Sequence, residues 1–122
     1  MIFDFNEYIY QAEEWVKRNE EAYKRSAVSR AYYGAFILTR KYLKSTGNLP
    51  KKFNGNSHEE IWNALSKLGP KEKIIANIGK SLKNMRKQAD YQEIIHENLS
   101  PWSQLAVYQA RSIVTRLTAL DK

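Results

Sequence analysis

Cysteine is missing altogether from the chain, which excludes disulfides, thiolate metal sites and a cysteine nucleophile. Histidine is nearly missing: His58 and His96 are the only two. Two imidazoles without a thiol supply no ligand cluster at useful spacing, so neither a metal nor another cofactor is expected. The five glycines are scattered and build no phosphate-cradling loop. No Ser, His and Asp stand at a spacing that argues for a nucleophilic triad. Long apolar runs are lacking too, none approaching the ~20 residues that cross a bilayer. The opening Met1-Ile2-Phe3-Asp4 has no basic n-region of the kind that begins a signal peptide. The expectation is a cytoplasmic protein with no membrane partner.

What is present is 122 residues, a length for one domain, 1–122, whose core needs no covalent staples. The net charge of +7 is unevenly spread. Residues 1–22 carry six acidic side chains against two basic ones, whereas residues 51–87 carry nine Lys or Arg against three Glu. Such asymmetry suits a polyanionic partner (RNA, a nucleotide or an acidic protein), and it suits a plain Lys-rich surface equally well.

Apolar residues recur at helical spacing from end to end, with no strand-period segment. Asp4 can cap a first helix whose stripe is Phe5, Tyr8, Ile9, Ala12, Trp15 and Val16, ending near Asn19. Asn19 is the expected N-cap of a second helix running to about Thr46, with Gly47 as its stop. Residues 26–43 organise the chain, because apolar side chains surround them except along a narrow seam of Ser26, Arg30, Gly34 and Lys41. A helix apolar on most sides belongs in the middle of a bundle. Residues 48–56 read as a charged loop. Ser57-His58-Glu59-Glu60 is a capping box and opens a short helix with Ile61, Trp62, Leu65 and Leu68 inward. Gly69 stops it, and Pro70 starts a fourth helix with Ile74, Ile75, Ile78, Leu82, Met85 and Ala89 in the core, reaching about Tyr91. Ser100-Pro101 reads as the N-cap and first residue of a fifth, with Trp102, Leu105, Ala106, Ala110, Ile113, Leu117 and Leu120 inward. The fold class is therefore all-α, an antiparallel bundle of about five helices.

Charges on packed helices need a partner or a task. Arg30 is presented from the central helix. Arg86 and Asp90 stand at i, i+4 on the half-buried edge of the fourth. A carboxylate near a helix C-terminus is unfavourable, so Asp90 is expected to clamp Arg30, with Arg86 and a tyrosine hydroxyl completing the network. On the other reading both arginines face a phosphate, Tyr33 or Tyr91 stacks a base, and Lys80 and Lys87 lie alongside on the polar stripe. His58 stands at a positive helix end that favours a neutral, hydrogen-bonding ring. It is either a working residue or a partly exposed helix-start residue. His96 lies in the connector before the fifth helix.

Three short motifs stand in order: Ser29-Arg30-Ala31-Tyr32-Tyr33-Gly34-Ala35-Phe36, then His58 opening a helix, then Arg86-Lys87-Gln88-Ala89-Asp90-Tyr91. Together they resemble the signatures of the HEPN domain family. The resemblance implies a four-helix up-and-down core plus a short helix, and a homodimer paired through helix faces. Such domains are often encoded beside minimal nucleotidyltransferases. The resemblance thus implies a nucleotidyltransferase partner in a two-gene toxin–antitoxin or defence system, and a nucleotide or RNA ligand. Many HEPN proteins resemble metal-independent ribonucleases that use an Arg followed, after four to six residues, by a His. Here nine residues separate Arg86 from His96, and seventeen separate Arg40 from His58. A ribonuclease, the alternative function, therefore has to assemble His58 or His96 with Arg86 in space.

Overall fold

The computed structural model describes residues 2–51 and 57–120, Ser57 by its backbone alone. Five helices follow one another: α1 (Asn6–Trp15), α2 (Glu21–Ser45), α3 (Ser57–Ser66), α4 (Pro70–Tyr91) and α5 (Leu99–Leu120). No strand occurs among the described residues. The all-α bundle expected from periodicity is the fold.

Local chemistry sets the helix ends. Asp4 Oδ1 accepts the Asn6 backbone N–H at 2.9 Å in the turn that leads into α1, whose cap position is Phe5 rather than the expected Asp4. Gly47, at φ 76°, ends α2. There the Asn48 N–H reaches Leu43 O at 2.8 Å and the Gly47 N–H reaches Lys44 O at 3.2 Å, the pair of bonds that satisfies the last carbonyls of a helix. Pro70 stands at the first turn of α4, where no N–H is needed. Three further boundaries differ from expectation. α1 stops at Trp15, and α2 takes Glu20 rather than Asn19 in the cap position. α5 begins at Leu99, with the Trp102 N–H bonded to Asn98 O at 3.1 Å. Ser100 and Pro101 both fall inside its first turn, where proline's missing donor costs nothing. The Ser57 side chain of the expected capping box, and residues 52–56 of the expected loop, lie outside the described residues.

α2 packs on every other helix, and Ala27, Val28, Ala31, Tyr32, Ala35 and Leu43 are wholly buried. α1 and α4 run against it, and α5 runs beside it in the same direction. Lys24, near the start of α2, donates to Val16 O at the end of α1 at 2.9 Å. Arg25 next to it gathers the carbonyls of Ala89, Gln92 and Glu93 at the end of α4. Two adjacent cations thus satisfy the C-termini of two different helices, where positive charge is favoured. Glu13 joins α1 to α5 through Arg111 at 2.7 Å. α1, α2, α4 and α5 form an up-and-down core, and α3 leans mainly on α4.

Two glycines permit the closest approaches. A Cβ on Gly34 would stand 2.9 Å from Ile9 Cγ1 and 3.2 Å from Phe5 O, so α1 crosses α2 there. A Cβ on Gly79 would overlap the Trp62 indole, so α3 seats its tryptophan on α4 at that point. Gly34 therefore belongs to the buried α1 contact and not to the polar seam. Leu68, Ile74 and Leu105, expected inward, are exposed, while Ser103 and Val107 are buried. α5 turns its small residues Ser103, Ala106 and Ala110 toward the core, which puts Leu105 on the far side of the helix.

Candidate functional site

The exposed strip of α2 carries Ser26, Ser29, Arg30, Tyr33 and Ile37, and it runs along an open groove of about 590 Å³. α1 contributes Tyr8 and Trp15 to the lining, and the end of α4 contributes Ala89 and Asp90. The volume lies in the range of small-ligand sites.

Arg25 also lines this groove, with its donors spent on Glu21 and on the carbonyls at the end of α4, so the cation left for a ligand is Arg30. Its guanidinium carbon lies 4.5 Å from the Tyr8 ring centroid and 5.6 Å from that of Trp15. Stacking on aromatic faces holds a guanidinium in place and leaves its N–H donors available in the ring plane. Among the described residues Arg30 forms no ion pair. The expected Arg30–Asp90 clamp is absent. Asp90 Oδ2 instead accepts the Ser29 hydroxyl at 3.3 Å and lies 3.6 Å from Arg86 Nη1. The i, i+4 pair forms despite its weaker orientation, because Arg86 is the more buried cation.

Arg86 stands behind the groove. It is 7% exposed, deeper than the half-buried edge expected for it. Its guanidinium carbon is 5.4 Å from the ring centroids of both Tyr32 and Tyr33. Its Nε is buried without a hydrogen-bond partner. The two π faces and one carboxylate at the edge compensate the buried charge in part. From this position Arg86 orients Tyr33 and Asp90, which reach the groove.

On the other side of Arg86 lies a closed network. Trp62 Nε1 donates to Tyr32 Oη at 3.2 Å, and Tyr32 Oη lies 2.8 Å from His58 Nδ1. The His58 ring stacks on Phe36 with centroids 4.0 Å apart and planes 6° from parallel. Burial drives the Tyr32 hydroxyl well above the usual tyrosine range, against the opposing effects of the Trp62 hydrogen bond and Arg86. Tyr32 therefore keeps its proton. Burial first, then the charges of Arg86, Lys83, Arg40 and Lys87, lower His58 below its ordinary 6.5. A neutral imidazole has one acceptor nitrogen. Trp62 already donates to Tyr32 Oη, which keeps its own proton and a second acceptor site, so the direction of the Tyr32–His58 bond follows the His58 tautomer.

The remaining sequence candidates separate. Lys80 is tied to Asn63 Oδ1 at 2.7 Å and lies 3.8 Å from Glu59, bracing α3 against α4. Lys87 is exposed on α4, and Tyr91, the last residue of that helix, is 76% exposed. His96 is exposed in the connector, remote in contact from the His58 network. Arg30, Tyr33 and Asp90 thus share the groove, Arg86 and His58 share the network behind it, Lys87 is one of the cations whose charge reaches His58, and Lys80, Tyr91 and His96 belong to neither. Tyr8 and Trp15 look like core from the α1 period alone, whereas Ser26 is legible on the polar seam of α2 and Ser29 as the start of the first motif. Their common feature is that α1 and α2 turn adjacent faces to solvent.

Among the described residues, no group of three or more His, Asp or Glu could hold a metal ion, and no helix is long and apolar enough to cross a membrane. The fold and groove define a helical-bundle protein with an open cationic and aromatic seam. No family model, curated protein or solved structure matches the chain.

Proposed function

We propose that the protein binds a nucleotide or single-stranded RNA along the seam of α2. The observation that carries this reading is Arg30: a guanidinium held over two rings, without a carboxylate partner, in a groove that also offers Tyr33 and two serine hydroxyls. Phosphate fits the donors, and a base fits an aromatic face. The cations Arg40, Lys83 and Lys87 beside His58 extend positive charge past the groove toward α3. Following the HEPN resemblance, the protein is read as one half of a two-gene toxin–antitoxin or defence system. It would act in the cytoplasm as a homodimer beside a nucleotidyltransferase partner.

Fluorescence anisotropy of a labelled single-stranded RNA, measured across a salt series, tests the binding. Affinity should fall steeply with salt, and Arg30→Ala should abolish binding while leaving the melting temperature nearly unchanged. Equal affinity of Arg30→Ala and the parent protein would sink the reading.

One observation favours the ribonuclease alternative: His58 and Arg86, distant in sequence, flank the same tyrosine. Metal-free phosphodiester cleavage needs a histidine that takes the 2′-hydroxyl proton and returns it to the leaving 5′ oxygen, and a cation near the phosphate; His58 and Arg86 are the residues that would supply them. Incubation of RNA with the protein in EDTA decides this. Cleavage that disappears in His58→Ala supports the enzyme, and intact RNA at high protein concentration removes it.

A further inference from the structure

The groove is asymmetric in charge, with consequences for which base it would take. Two arginines and one carboxylate line the 590 Å³ space: Asp90, Arg25, whose donors are taken by Glu21 and by the carbonyls of Ala89, Gln92 and Glu93, and Arg30, the guanidinium left for a ligand. A phosphate is drawn to the guanidinium and repelled by the carboxylate. A bound nucleotide therefore lies in one direction, with its phosphate toward Arg30 and its base toward Asp90. Tyr33, on the same lining, offers the aromatic face.

Asp90 is also held in place. Ser29 Oγ donates to its Oδ2 at 3.3 Å, Arg86 Nη1 approaches the same oxygen at 3.6 Å, and the side chain remains 28% exposed. Oδ1 makes no hydrogen bond among the described residues. Each carboxylate oxygen accepts about two hydrogen bonds, so the group retains acceptor capacity toward the groove. Because two protein contacts already orient it, little is lost in ordering it when a ligand arrives.

We infer that this end of the groove selects guanine, an inference that rests on the nucleotide-binding reading above. A carboxylate offers two parallel acceptors and no donor. Guanine alone among the common bases has two adjacent donors on one edge, N1–H and the 2-amino group. Adenine and cytosine each set a ring-nitrogen acceptor beside their amino group. Uracil flanks its single N3–H with two carbonyls. Each of those acceptors would face a carboxylate oxygen, and such a mismatch is penalised more strongly than a missing contact.

Calorimetric titration of the parent protein with GMP, IMP, AMP and UMP at one salt concentration tests this directly. GMP should bind about tenfold or more tighter than AMP or UMP. IMP, which lacks only the 2-amino group, should fall between them. Asp90→Asn replaces one acceptor with a donor, so it should weaken GMP and favour XMP, whose O2 accepts where guanine's amino group donates. A melting curve of Asp90→Asn accompanies that titration, and if the variant does not fold, the parent series decides alone. AMP or UMP binding as tightly as GMP overturns the guanine inference and leaves the nucleotide reading standing. Failure of all four to bind overturns the guanine inference, and the RNA anisotropy series then judges the broader reading separately.

Discussion

Tyr32 and Tyr33 are neighbours in sequence and stand in opposite kinds of surroundings. Around Tyr32, Trp62 donates to the hydroxyl, the hydroxyl shares a hydrogen bond with His58 Nδ1, and Phe36 covers the imidazole. Each link has its donor and its acceptor inside the protein. Around Tyr33 the groove is open, and the cation that dominates it, Arg30, rests on rings. Arg86 touches both tyrosines and separates the two regions. The contrast gives a physical criterion for function. A polar group satisfied from within holds the fold, whereas a charge left facing a groove with only π faces for company is available to a ligand.

The largest way to break the contrast is in the closed region. Trp62→Ala should cost roughly 3–5 kcal/mol, because it empties a fully buried site against Gly79. Trp62→Phe keeps most of the volume and removes one donor, so about 1 kcal/mol is expected. Urea unfolding of the two variants measures the difference.

Next is the boundary between the regions. Arg86→Ala removes the cation packed between two tyrosines and should cost about 2–3 kcal/mol. Asp90→Asn should cost only about 1 kcal/mol, since the Arg86 contact is long and partly exposed and the Ser29 bond can persist. This order reverses what an Arg30–Asp90 clamp requires, where loss of Asp90 would be the severe change. Midpoints in urea rank the pair.

A gentler probe is acid. The unfolded chain binds a proton on His58 near 6.5, while burial and four neighbouring cations keep the folded ring neutral to lower pH. Below 6.5 the unfolded state therefore binds more protons, and stability falls with pH until the lowered folded value is reached. The melting temperature should drop as the pH is taken from about 7.5 to about 5.5. His58→Gln should flatten the profile in that window, and a parallel profile would show that His58 is not the source.

The smallest stability effect is expected at Arg30. Arg30→Ala loses two cation–π contacts, worth about 1 kcal/mol or less at a half-exposed site. It should barely move the melting temperature while removing anion binding. A large destabilisation would place Arg30 with the closed region and dissolve the contrast.

Much of this molecule was legible before its fold was known. The apolar coverage of residues 26–43 put α2 at the centre, and Gly47, Gly69 and Pro70 marked ends that the structure keeps. The motif residues Arg30, Tyr33, Arg86 and Asp90 do gather in one region, although their pairing was misread. Helix polarity alone favours moving Asp90 toward Arg30. In the fold, the greater burial of Arg86 outweighs the few tenths of a kcal/mol carried by pair orientation. Tyr8 and Trp15 were legible as apolar stripe and illegible as a bed for Arg30.

By itself the sequence determined the elements: five helices, their order, most of their ends and, apart from Leu68, Ile74 and Leu105, the faces that had to be covered. Those follow from interactions within a few residues, the 3.6-residue period and the caps. Tertiary structure alone decided the partners. Lys24 and Arg25, side by side in sequence, serve the ends of two different helices. Arg30 meets α1, and Ser29 beside it meets α4. Which neighbour a side chain reaches depends on how far each helix rotates about its axis and slides along the next. Burial and close approach at Gly34 and Gly79 set those quantities across the whole bundle, and no local window of residues contains them.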